Sequence, residues 1–150
     1  MPFLAGQKLD AGQLDRLQPV PYIAAANANL VRNNTTARAD IAGATITLTT
    51  KAANATYLVI ATFDVQIGAT AAGNMLGYLM VDGVDDSAQA AKRMDAVTRD
   101  TIVQVWQGTL AAAGSHTFKL QGQTTVASAS AGNIFTATST KIQVTITEVV

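Results

Sequence analysis

The chain has 150 residues, of which 49% are apolar and 13% charged, and its formal charge at neutral pH is zero. That length suits one domain with a real core. The missing basic excess argues against a nucleic-acid-binding protein. The absence of cysteine excludes a disulfide framework and a thiolate metal site. No apolar run reaches the roughly 18 residues that cross a bilayer, so no membrane partner is expected. A nearly uncharged chain of this kind resists self-association poorly, which suggests a life in contact with other proteins.

The first element is "FLAGQKLDAGQLDRLQP", residues 3–19. Its single Lys8, lack of a long apolar stretch and early polar residues do not read as a signal peptide. The N-x-T sequons at Asn33, Asn34 and Asn54 therefore carry little weight. Asp10 is placed to cap a helix, with Gln13 at the reciprocal capping-box position and Leu9 and Leu14 as a hydrophobic staple. Leu14 and Leu17 share one helical face, and Pro19 and Pro21 end the helix in an extended exit. About two turns of helix do not persist alone in water, so the Leu face must dock, either on its own domain or on another protein.

From residue 27 the period is two. Strands are expected over 44–50, 56–67, 75–83, 101–110, 116–126 and 140–150. In the second of these Tyr57, Val59, Ala61, Phe63, Val65 and Ile67 share a face, and Leu58 and Ile60 opposite them predict burial on both sides. Asp82-Gly83 is a turn signal. Weaker strands are expected over 28–33, 88–97 and 133–138, with a helical turn as the alternative for 88–94. Short spacing, turn signals and no long helical pattern point to an antiparallel sandwich or barrel. Long strands and no Cys-Trp-Cys arrangement favour a jelly roll over an immunoglobulin sandwich. The expected fold is therefore all-β, an antiparallel jelly-roll sandwich with a short N-terminal helical arm. The arm takes residues 1–26 and the jelly roll takes residues 27–150.

Residues that carry chemistry are sparse. His116 is the single histidine, and its place after "AAAGS" makes it a loop-edge residue. Ser115 beside it does not supply the geometry of a catalytic triad. Neither a nucleophile elbow nor a phosphate loop is present. Asp82, Asp85 and Asp86 form an oxygen-rich cluster without EF-hand spacing, which reads as a turn before it reads as a calcium site. Arg93, Asp95, Arg99 and Asp100 read as a solvated edge or a subunit contact. Trp106 reads as core or, if it faces outward, as a contact hot spot, because Val103 and Val105 compete with it for the interior. No cofactor is expected.

The opening stretch resembles that of small virion proteins of tailed bacteriophages, with a pattern near F-x-x-G-Q-x-L-x-A-x-x-L-N. Phe3, Gly6, Gln7, Leu9, Ala11 and Leu14 match it, while Asp10 and Asp15 replace the usual Thr and Asn. "GYLMVDG", "WQGTLAAAGSHTFKLQGQTT" and "STKIQVTITEV" are similar to the C1q- and TNF-like jelly rolls of phage head-decoration, head-fibre and minor tail proteins. The resemblance implies a homotrimer with a non-enzymatic structural role in the virion. It also implies an arm that attaches the trimer to the major capsid protein or another virion protein.

On this reading Phe3, Leu4, Leu9, Leu14 and Leu17 dock on the partner, and Leu58, Ile60 and Trp106 lie between subunits. The expected function is a capsid decoration protein. The alternative is a minor tail or receptor-binding protein that grips the host surface with the jelly roll. A hydrolase on a sandwich fold is poorly served by one histidine.

Overall fold

The computed structural model describes Ala11 and residues 18–32, 35–68, 72–95, 98–127 and 132–148. The helix expected over the opening stretch lies outside them. Among the described residues ten strands follow in chain order: β1 (Val20–Ala25), β2 (Leu30–Val31), β3 (Ala39–Thr50), β4 (Ala55–Ile67), β5 (Gly73–Val81), β6 (Val84–Met94), β7 (Thr98–Leu110), β8 (Gly114–Thr124), β9 (Ile134–Phe135) and β10 (Lys141–Thr147).

All pairings are antiparallel, and the long ones are nested. β1 pairs with β10, β3 with β8, β4 with β7 and β5 with β6. The first and third of these pairs merge through β10 and β4, and the other two through β8 and β5. The result is two facing sheets, one built on β1–β10–β4–β7 and one in the order β3–β8–β5–β6. The short β9 continues the line of β10 along β4 at Val65 and Gln66, and β2 closes on β9. A chain doubled back on itself as nested pairs and rolled into two sheets is a jelly roll.

Several expectations change. Val20–Ala25, placed in the arm, is a sheet strand with six residues in register against β10. Pro21 fits there because β1 is an edge strand and needs no amide donor on its free side. Residues 88–94, open between strand and helical turn, are strand within β6. Two residues are strand within each of 28–33 and 133–138. The Asp82-Gly83 turn has φ of 52° and 80°, the double positive φ of the hairpin turn favoured by strand twist.

The inward face of β4 is the spine of the core. Val59, Ala61, Phe63, Val65 and Ile67 are fully buried, as alternation predicts. Phe63 meets Trp106 and Phe135 edge-on, with ring centroids 6.4 and 6.2 Å apart. Opposite them Gly77 and Gly122 stand directly across from each other on β5 and β8. A side-chain carbon on Gly77 would lie 2.5 Å from the Phe63 ring, and one on Gly122 2.7 Å from the Phe135 ring. The two glycines are thus a floor cut to receive two aromatic rings.

Candidate functional surface

The two outer faces of the sandwich differ in chemistry. On the β1–β10–β4–β7 sheet, register sets three outward rows: Pro21–Thr145–Leu58–Gln107, Ile23–Gln143–Ile60–Val105 and Ala25–Lys141–Thr62–Val103. Every residue in these rows is exposed or half-buried, and Lys141 carries their single charge. Ile23 is 68% exposed, Val103 59%, Val105 50%, Leu58 40% and Ile60 38%. At the Pro21 end the face opens into a groove of about 590 Å³, lined by Pro19, Leu58, Gln107 and the threonines 56, 109, 145 and 147, with Tyr57 and Gly108.

The outer face of the β3–β8–β5–β6 sheet carries charges, several of them in pairs. Asp40 accepts from Lys119 Nζ at 2.8 Å and from Gln121 Nε2 at 2.6 Å. The Lys119 hydrogen bond, joined by that of Gln121, holds the Asp40 carboxyl below the usual carboxylate value. Arg38 pairs with Asp85 at 2.6 Å and lies 3.6 Å above the centre of the Tyr78 ring. Tyr78 in turn donates to Gln123 Oε1.

Leu58 and Ile60 are therefore outward in the single chain, not enclosed on both sides as expected. Trp106 does not join them. It is 2% exposed and paired in register with Val59, and its Nε1 donates to the Ala88 carbonyl at 2.8 Å. Alternation on β7 sends Val103 and Val105 outward and the indole inward, because the larger ring fills the space above Phe63. The place of Trp106 is the core. Phe3, Leu4, Leu9, Leu14 and Leu17 lie outside the described residues.

His116 is at the mouth of β8, as expected of a loop-edge residue, yet it is 7% exposed. Its Nδ1 is 2.7 Å from Asp82 Oδ2 and its Nε2 is 3.1 Å from the Ala112 carbonyl, so both ring nitrogens are engaged. Ser115, one residue away on a strand, faces the opposite side of the sheet. Burial pushes the Asp82 carboxyl up. The hydrogen bonds from His116 and the Thr117 amide, with the imidazole charge, outweigh that and leave it below the ordinary value. The three clustered carboxylates do not converge: Asp82 serves His116 and Thr117, Asp85 serves Arg38, and Asp86 accepts from the Tyr57 hydroxyl at 3.3 Å. Among the described residues no group of three or more acidic or histidine side chains is placed to hold a metal ion.

Arg99 is exposed at the sheet edge, its side chain 52% accessible, and it also reaches inward. Its guanidinium grips the buried carboxylate of Asp64, Nε to Oδ1 at 2.8 Å, and Thr136 donates to the same carboxylate. This clamp fastens the segment after β9 across β4 and β7. Sequence reasoning missed Asp64, and the signal was there: it is the one carboxylate inside the apolar run "TYLVIATFDVQI".

Fold and surface thus define an antiparallel jelly-roll sandwich with one charged face and one nearly uncharged face. No family model and no curated protein matches the sequence. Among solved structures, the chain is similar to one from infectious bursal disease virus, Gx strain. The identity is 14% and the TM-score 0.51, over 87% of this chain and 33% of that one. A second particle of that virus gives 10% identity and a TM-score of 0.49, over 85% and 35%. The Eiger TNF from S. frugiperda gives 8% and 0.41, over 85% and 92%. The chain spans about a third of the length of the viral chains it matches. These likenesses concern the fold.

Proposed function

We propose that the chain is a virion structural protein: a non-enzymatic jelly-roll unit that forms a homotrimer and decorates the major capsid shell through its N-terminal segment. The observation that carries this reading is the nearly uncharged outer face of the β1–β10–β4–β7 sheet, a surface made for protein contact and offering no group for chemistry. The fold likeness to a chain of a virus particle and the phage-like opening motif support it. The alternative, a receptor-binding protein reading glycans with loop aromatics, is less well served. Phe63, Trp106, Phe118 and Phe135 are buried in the core, and Arg38 covers the Tyr78 ring. Multivalency supplies the mechanism: three modest contacts on one trimer hold a shell far more firmly than one.

The test is binding to phage particles that lack the native protein, followed by imaging. Because β1 begins at Val20, the truncation that probes the arm removes residues 1–18 and spares the sheet. Wild-type protein is expected to occupy the shell. The truncated chain and the Leu14→Asp/Leu17→Asp variant are expected to stay folded by circular dichroism and to leave the shell bare. Full occupancy by the truncated chain would move attachment to the jelly roll, and no binding by wild type would reject the virion role.

A further inference from the structure

We propose that the open edge of β7, from Thr101 to Thr109, is a strand-addition site that takes one extended, uncharged segment of another protein. This goes beyond the attachment proposed above and does not depend on it. The hydrogen-bonding sense of the sheet shows which groups face that edge. The Thr136 amide donates to the Asp64 carbonyl, and the Asp64 amide donates to the Thr140 hydroxyl, so the main chain of Asp64 turns away from β7. Main-chain groups alternate along an antiparallel strand, so Phe63 and Val65 bond to β7, at Ile102 and Asp100. The odd-numbered residues of β7, Arg99 to Thr109, therefore aim amide and carbonyl at the free edge. Two short-range bonds agree with this. The Thr101 amide donates to the Asp100 carboxylate at 2.7 Å, and the Gln104 side chain donates to the Val105 carbonyl at 3.1 Å. Among the described residues, the edge-facing main-chain groups of Val103 and Gln107 have no partner.

An open strand edge invites pairing, and the edges of β1, β3 and β6 are blunted against it. β1 carries Pro21. β3 breaks register between Asp40 and Thr45, and Glu148 takes the Lys51 and Ala52 amides just past its far end. β6 breaks register opposite Tyr78 and Met80 and carries Asp85, Asp86, Lys92 and Arg93. β7 has none of these: its register with β4 is unbroken over 13 residues, and residues 101–110 hold no charge and no proline. The groups left open select the occupant. Amides and carbonyls repeating every second residue match the main chain of an extended polypeptide. Val103 and Val105, exposed beside them, favour aliphatic or β-branched residues at alternate positions of that segment. A whole second sandwich fits less well. The Trp106 Nε1 bond to the Ala88 carbonyl and the Lys92–Asp100 pair at 2.9 Å hold β6 beside β7. A copy paired through β7 would set two irregular, charged β6 edges against each other, which a single segment avoids.

The test is amide hydrogen exchange on the full chain, read by NMR. The probe is a Thr-Val-Thr-Val-Thr-Val peptide with lysines at both ends for solubility. At about ten times its Kd it is expected to slow exchange at the Val103, Val105 and Gln107 amides roughly tenfold, by mass action. Exchange at Ile23, on the β1 edge, is expected to be unchanged. A fully N-methylated form of the peptide, which has no donors, is expected to do nothing. Val105→Pro removes an amide that β4 does not use, so the far-ultraviolet circular dichroism spectrum is expected to stay as in wild type while the peptide loses its effect at Val103 and Gln107. No slowing at millimolar peptide, equal slowing by the N-methylated form, or undiminished slowing in folded Val105→Pro overturns the proposal. Protection of these amides without peptide overturns it too. Protection that grows with protein concentration assigns the edge to a second copy, and constant protection assigns it to the chain itself.

Discussion

At Gly122 a ring lies where a side chain would begin. An added methyl would sit 2.7 Å from the Phe135 ring, which is itself fully buried and braced on Phe63. Gly122→Ala is therefore expected to cost about 1–3 kcal/mol, the range for overpacking a filled core, read as a lower urea midpoint. Asp64 is the other residue on which much depends. The Arg99 hydrogen bond holds its carboxyl below the ordinary value against the opposing effect of burial, with help from Thr136 and the Arg99 charge. Between the folded and unfolded values the unfolded chain binds more protons. The stability Asp64 contributes is thus complete above its unfolded value near pH 4, and is lost as pH falls through the folded value. Asp40 and Asp82 are shifted the same way. Urea unfolding across a pH series should show stability falling below about pH 4, in the range set by these carboxylates. Asp64→Asn should be less stable than wild type at neutral pH and should flatten part of that acid slope. An unchanged slope would mean that the clamp does not set it.

The strands were legible because their inward residues are apolar at every second position. β4, β7, β8 and β10 were each read within a few residues of their bounds. What failed was local. β1 carries Pro19 and Pro21 at its entry, which read as an arm ending, and its partner β10 lies more than a hundred residues away, beyond any window of periodicity. β6 reads "VDDSAQAAKRM", and only Ala90 and Met94 among its residues are buried, so an edge strand with one thinly apolar face mimicked a helical turn. The apolar outer face was half legible. Leu58 and Ile60 stood out as apolar residues on the wrong side of a strand, but choosing between Trp106 and the valines beside it required knowing which way β7 faces. The β5–β6 turn carries its own prediction. Its three carboxylates each have a separate protein partner, so removing divalent cations with a chelator should leave the melting temperature unchanged. A drop of several degrees would mean that an ion reorganises these side chains.

Taken whole, the molecule is a hairpin of hairpins, and its outermost closure joins residues 20–25 to residues 141–146. Little of its stability comes from neighbours in sequence, and a loop of this length is entropically slow to close. The order of events during synthesis follows from that nesting. β5 and β6 meet as soon as they leave the ribosome, and β4 waits for β7 and β3 for β8. β1, made first among the strands, has no partner until the last one is released. Throughout that wait its own edge is uncovered, and until β7 and β8 emerge so are the apolar inner faces of β4 and β3, while a crowd of identical nascent chains holds the same unpaired strands. The nested architecture therefore sets a timetable as well as a shape. It makes the newly released chain, rather than the finished sandwich, the stage most exposed to mispairing and most in need of protection.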